Sequence, residues 1–142
     1  MDKTIFRFGL LLAIAAAPAS ANDNPDPCPP LPQEAGLHWQ HSGSRNFTVC
    51  RAVDEGGTQL LGVMLTPQPT VNLRRRNRVE EGMIGPHEVH WYRPEIAEPG
   101  AEEKRVTVIE LGKDRYAQIW VDANDPDQLR RALAVAQALA LH

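Results

Sequence analysis

Residues Lys104–Leu141 read KRVTVIELGKDRYAQIWVDANDPDQLRRALAVAQALAL, and this stretch decides the fold class. Val106–Leu111 and Tyr116–Val121 are rich in β-branched and aromatic residues, with the turn formers Gly112, Lys113 and Asp114 between them. Two such runs joined by a short turn predict a β-hairpin. Side chains alternate between the faces of a strand, so Ala117, Ile119 and Val121 share one face while Tyr116, Gln118, Trp120 and Asp122 share the other. The first set makes a core face.

A helix is predicted to follow at once. Asp125 is suited to accept from the first free amides, Pro126 to occupy a position that has no N–H to lose, and Gln128 to complete a capping box. Leu129, Ala132, Leu133, Ala136 and Ala140 recur at helical spacing, and Val135 and Leu139 widen the stripe. This helix should lie flat on the sheet, its alanines allowing close approach. After Arg131 the only polar side chain before His142 is Gln137, a pattern that suits a deeply packed helix or a homodimer formed through it.

Upstream, Phe47–Arg51 reads as a strand closed by the turn Asp54–Gly57. Gln59–Leu65 is apolar on both faces, which argues for a central strand covered on each side. Glu88–Arg93 is a further strand, ended by Pro94, with Val89 and Trp91 facing one way and Glu88, His90 and Tyr92 the other. Gly36–Ser44 reads as a loop or a short edge strand. Leu73–Glu81 carries Arg74, Arg75, Arg76 and Arg78 and reads as a solvated loop or helical turn partly neutralised by Glu80 and Glu81. Its functional alternative is contact with an anionic partner. The expected fold is α+β, an antiparallel sheet of about five strands with one C-terminal helix packed on a face.

The chain opens with Lys3 and Arg7, an apolar run Phe8–Ala17 and the small-residue end Ala19-Ser20-Ala21. That is the three-part pattern of a secretory signal peptide cleaved after Ala21. The apolar run is too short to span a bilayer comfortably, and no later segment is long and apolar enough to do so. No cysteine near the cleavage site is placed to carry a lipid. The expected organisation is a signal peptide over 1–21, a proline-rich tail over 22–36 and a single α+β domain over 37–142, with a periplasmic or secreted address. Removing 21 of the 142 residues leaves 121, enough for one modest core. The leader takes Asp2, Lys3 and Arg7 with it, so the formal net charge moves from −3 to −4. A mildly acidic exported chain is a poor candidate for general nucleic-acid binding.

Cys28 and Cys50, an even pair in an exported chain, predict a disulfide that ties the proline-rich tail to the start of the sheet. They lack the Cys-x-x-Cys spacing of a redox dithiol. The histidines fall as His38-x-x-His41 and His87-x-x-His90. Residues three apart on a strand point to opposite faces, so a four-histidine metal site would need both pairs in loops. No Gly-x-Ser-x-Gly, phosphate loop or dinucleotide fingerprint is present, and no cofactor is expected.

If the helix covers the Ile119 side of the sheet, then Tyr116, Gln118 and Trp120 lie on the reverse side, with His90 and Tyr92 as candidates to join them. Tyr and Trp suit binding because each joins a large apolar body to a polar handle. The functional expectation is a non-catalytic binding or interaction module of the cell envelope, its partner an envelope protein or polymer. The alternative is a small periplasmic enzyme or metal-handling protein that uses His38, His41, His87 and His90.

Overall fold

The computed structural model describes residues 28–95 and 99–142. The signal-peptide reading over 1–21 and the first part of the tail lie outside the described residues. Seven strands form one antiparallel sheet: β1 His38–Gly43, β2 Thr48–Val53, β3 Gln59–Thr66, β4 Arg78–Ile84, β5 His87–Tyr92, β6 Lys104–Gly112 and β7 Arg115–Asp122. The spatial order is β1-β2-β3-β7-β6-β5-β4. One helix, α1 Pro126–Gln137, follows the last strand.

The expected hairpin and helix are both present, and the sheet is larger than expected. The two additional strands are its edges. β1 occupies part of the stretch read as a loop or short edge strand, and β4 begins inside the arginine run read as a loop or helical turn. β4 is hard to see in sequence because it alternates within a polar context. Glu80, Gly82 and Ile84 take one face and Val79, Glu81 and Met83 the other, and the register slips between Arg78 and Glu81. Its partner β5 shows why it is there: Ile84 is fully buried, and Gly82 lies close under the indole of Trp91.

The face carrying Ala117, Ile119 and Val121 is the core, as the alternation predicts. Leu61 and Val63 of β3 lie opposite Val121 and Ile119, and Thr107 and Ile109 of β6 lie opposite Ile119 and Ala117. The helix packs across β3, β7 and β4 with Leu129, Ala132, Val135 and Ala136 inward. Its outward side is Asp127, Arg130, Arg131, Ala134 and Gln137. Asp125 caps it, accepting from the Gln128 amide at 2.8 Å, while Gln128 Oε1 accepts from the amide of Asn124 at 2.9 Å. The reciprocal bond therefore falls one residue before the cap. The helix also stops earlier than the apolar spacing suggested: Leu139 and Leu141 are buried from the tail beyond it, and Ala140 is exposed. That tail is held by His87 Nε2, which donates to Leu141 O at 2.9 Å, and by the Gly85 amide, which donates to Gln137 O at 3.0 Å. Gly85 has φ +53°, and a Cβ there would sit 2.4 Å from Leu139 O, so only glycine fits this turn.

The predicted Cys28–Cys50 disulfide is present. Both cysteines are buried in the helix-side core, and Leu31 and Ala35 of the tail, with Leu37 just after it, pack against it. Trp39 Nε1 donates to Pro29 O at 2.7 Å and Arg131 Nη2 to Ala35 O at 2.7 Å, so the tail and α1 share one face of the sheet. Among the described residues no helix is long and apolar enough to cross a membrane.

The disulfide closes a separation of 22 residues. In the chain-entropy model its reduction should lower unfolding stability by about 3 kcal/mol. Denaturant titration of the oxidised and reduced chains measures this; coincident curves would mean that packing alone holds the tail.

Candidate functional site

The reverse face of the sheet is set by the same register. β7 places Tyr116, Gln118, Trp120 and Asp122 there; Met64 and Gly62 of β3 lie opposite Gln118 and Trp120, and Val108 and Val106 of β6 lie opposite them on the other side. Tyr92 of β5 lies opposite Val106 and thereby joins the Trp120 row. This face is not bare. β3 and β4 sit on opposite sides of β7, β6 and β5, so the 67–77 connection has to cross three strands, and it does so on the side away from α1.

The crossing segment is anchored by Gln118. Its Oε1 accepts from the Thr70 amide at 2.9 Å and from Thr70 Oγ1 at 3.1 Å. Between this crossover and the sheet lies a cleft of about 490 Å³, lined by Trp120, Gln118 and Val106 from the sheet, Tyr92 to Glu95 at one end, and Thr70 to Leu73 above. That volume lies within the roughly 300–1,000 Å³ typical of small-ligand sites.

Trp120 is held in one pose. Its ring lies over Gly62, where a Cβ would fall 2.0 Å from Cζ2, and its Nε1 donates to Asp122 Oδ2 at 3.1 Å. Gln59 Nε2 also donates to Asp122 Oδ2, and Lys104 Nζ stands 3.7 Å from Oδ1. Asp122 is thus committed to three partners. Tyr92 is fixed at the opposite end: its hydroxyl accepts from Arg78 Nη2 at 3.3 Å, and the Arg78 guanidinium lies over the ring, 5.8 Å from its centroid. Arg74 pairs with Glu95. The site therefore joins a rigid aromatic floor to a rim on which the two acids are already occupied.

Of the five face residues singled out from sequence, the cleft gathers Trp120, Gln118 and Tyr92. His90 shares the face but stands outside the cleft, its Nε2 donating to Glu81 Oε1 at 3.0 Å. Tyr116 is at the far end of β7, where it lines a separate hollow of about 530 Å³ with Cys28, Leu65, Leu111 and Leu141. The arginine run is divided: Arg74 and Arg78 are engaged beside the cleft, and Arg75 and Arg76 are exposed on a short 3-10 turn. Lys104, Arg93 and the Thr70–Leu73 strap are additions, visible only once strand order is known, and Asp122, which alternation already puts on this face, joins them. A second addition is Arg105, which also lines the cleft; it is nearly buried and paired with Glu80, its Nη1 donating to the carbonyls of Glu102 and Lys104 at 2.7 and 2.9 Å.

The four histidines do not converge. His38 and His41 are on opposite faces of β1, His87 and His90 on opposite faces of β5, and four strands separate the pairs. Among the described residues no group of three or more His, Cys, Asp or Glu side chains is placed to hold a metal ion.

No family model, curated protein or solved structure matches the chain. Its functional reading rests on the geometry of the cleft.

Gly62→Ala tests that geometry. The added methyl meets a rigid ring rather than a flexible side-chain end, so the substitution should displace Trp120 and cost about 1–3 kcal/mol, as overpacking does. Thermal unfolding and near-UV circular dichroism report the two effects; an unchanged aromatic spectrum would show that the indole is not seated on Gly62.

Proposed function

We propose that this chain is a small exported binding domain of the cell envelope and that it takes its ligand, without catalysis, in the cleft between the crossover and the reverse face of the sheet. The observation that carries the reading is Trp120, a large aromatic fixed by Gly62 and Asp122 yet left lining an open cleft rather than the core. Rigid aromatics of this kind contribute contact area with little rotamer entropy to lose, which is why they dominate binding sites. The two carboxylates of the cleft, Asp122 and Glu95, are neutralised by Lys104 and Arg74, an arrangement that favours orientation of a ligand over proton transfer. The basic leader with its apolar run and the disulfide support an exported address. Arg75 and Arg76, exposed at the same end of the sheet, suit an anionic polymer of the envelope.

Retention of the tagged chain by washed fragments of its own envelope tests the reading. Trp120→Ala and Tyr92→Ala should each reduce retention about tenfold or more, as loss of a binding hot spot does, with the cooperative unfolding transition preserved. Retention equal to that of the parent chain would overturn the assignment of the cleft.

A further inference from the structure

The chemistry of the cleft narrows the ligand, on the condition that the binding reading holds. Three features are independent of one another. The first is the indole of Trp120, closed off on one side by Gly62 and with its N–H already donated to Asp122. What remains for a ligand is the π face, which carries partial negative charge and attracts polarised C–H groups. Sugar rings present such C–H patches on their faces and hydroxyls around their edges.

The second is the carboxamide of Gln118. Backbone and hydroxyl donors of Thr70 both meet Oε1, so which end is oxygen is set by the chemistry of the partners. Nε2 carries two N–H donors and has no protein acceptor among the described residues, although Gln118 is only 8% exposed. No buried side-chain nitrogen or oxygen among the described residues lacks a partner, so Nε2 keeps access to open space, and Gln118 lines the cleft. A donor held in this way calls for a ligand acceptor such as a hydroxyl or ring oxygen.

The third is charge. Asp122 is occupied by Lys104, Gln59 and Trp120, and Glu95 by Arg74. Arg93 lines the same cleft, and its guanidinium has no carboxylate partner among the described residues. Arg105, which also lines the cleft, is paired with Glu80, so among the described residues the lining charge left without an opposite partner is the positive one of Arg93. A planar guanidinium matches a carboxylate in a two-bond fork. A terminal phosphate, with a charge of about −1.5 to −2, calls for more than one free cation.

We infer that the cleft binds a saccharide carrying a carboxylate, with the sugar ring on Trp120, a ring or hydroxyl oxygen on Gln118 Nε2 and the carboxylate on Arg93.

Isothermal titration of the disulfide-bonded chain tests this with three probes: trigalacturonate, its fully methyl-esterified form and adenosine monophosphate. Trigalacturonate should bind, and the ester, which keeps the rings and loses the charge, should bind about tenfold more weakly or worse. Arg93→Ala should lower affinity for the acid to that of the ester and leave the ester unchanged, and Arg93→Lys should restore part of the difference. Equal binding of acid and ester, or tighter binding of adenosine monophosphate, would overturn the inference. So would no binding of either saccharide while retention by envelope fragments stays sensitive to Trp120→Ala, a result that leaves the binding reading standing. Loss of that sensitivity as well would overturn both.

Discussion

Two hydrogen bonds from Thr70 to the carboxamide of Gln118 hold the β3–β4 crossover against the sheet, and the cleft exists because of where that crossover runs. The strand order obliges the connection to pass over three strands. The helix and the disulfide-tethered tail fill one face, so the connection takes the other. A polar group at Gln118 is what makes this crossing stable, since a backbone amide brought onto a sheet face would otherwise lose its hydrogen bond to water.

The two faces consequently differ in kind. The helix side is a contiguous apolar core in which Trp91, Leu61, Ile119 and Leu139 are fully buried. On the reverse side Val49, Val53 and Val106 are buried too, but they do not belong to that core. They are sheltered in patches beneath polar groups that hold one another. Asp122 shows the principle: it orients Trp120 and Gln59 and faces Lys104, so one carboxylate fixes an aromatic ring and sets the charge of one wall. Stability is concentrated on one face, which leaves the other able to keep a void.

Much of this was legible in the amino-acid order. Alternation in β7 separated Ile119 from Trp120 without knowledge of any neighbour, and Asp125-Pro126 marked the helix start because capping is a local event. The apolar run of β3 announced cover on both faces. What stayed hidden depends on long-range order. β4 reads as a charged turn because an edge strand has one side in water, and its bulge breaks the alternation that would reveal it. The helix was expected to continue because Leu139 and Ala140 keep its spacing, yet Gly85 docks its amide on Gln137 O and the chain leaves the helix there. Arg93 and Lys104 come together because β5 and β6 are neighbours, and Thr70, far from both in sequence, reaches them only through the crossover. Arg105 was the one missed group with a local signal, since alternation places it with Thr107 and Ile109 on the core face.

The three tryptophans allow the account to be tested in a single spectrum. Trp39 is tied to Pro29 on the helix side, Trp91 is in the core, and Trp120 lines the cleft. The decisive measurement is the set of indole N–H resonances in a nitrogen-15 correlation spectrum as soluble envelope fragments are added, with Trp120→Phe to assign its signal. Binding in the cleft moves the Trp120 resonance while those of Trp39 and Trp91 stay in place. Movement of Trp39 instead, or binding of the fragments with all three resonances unmoved, would contradict it.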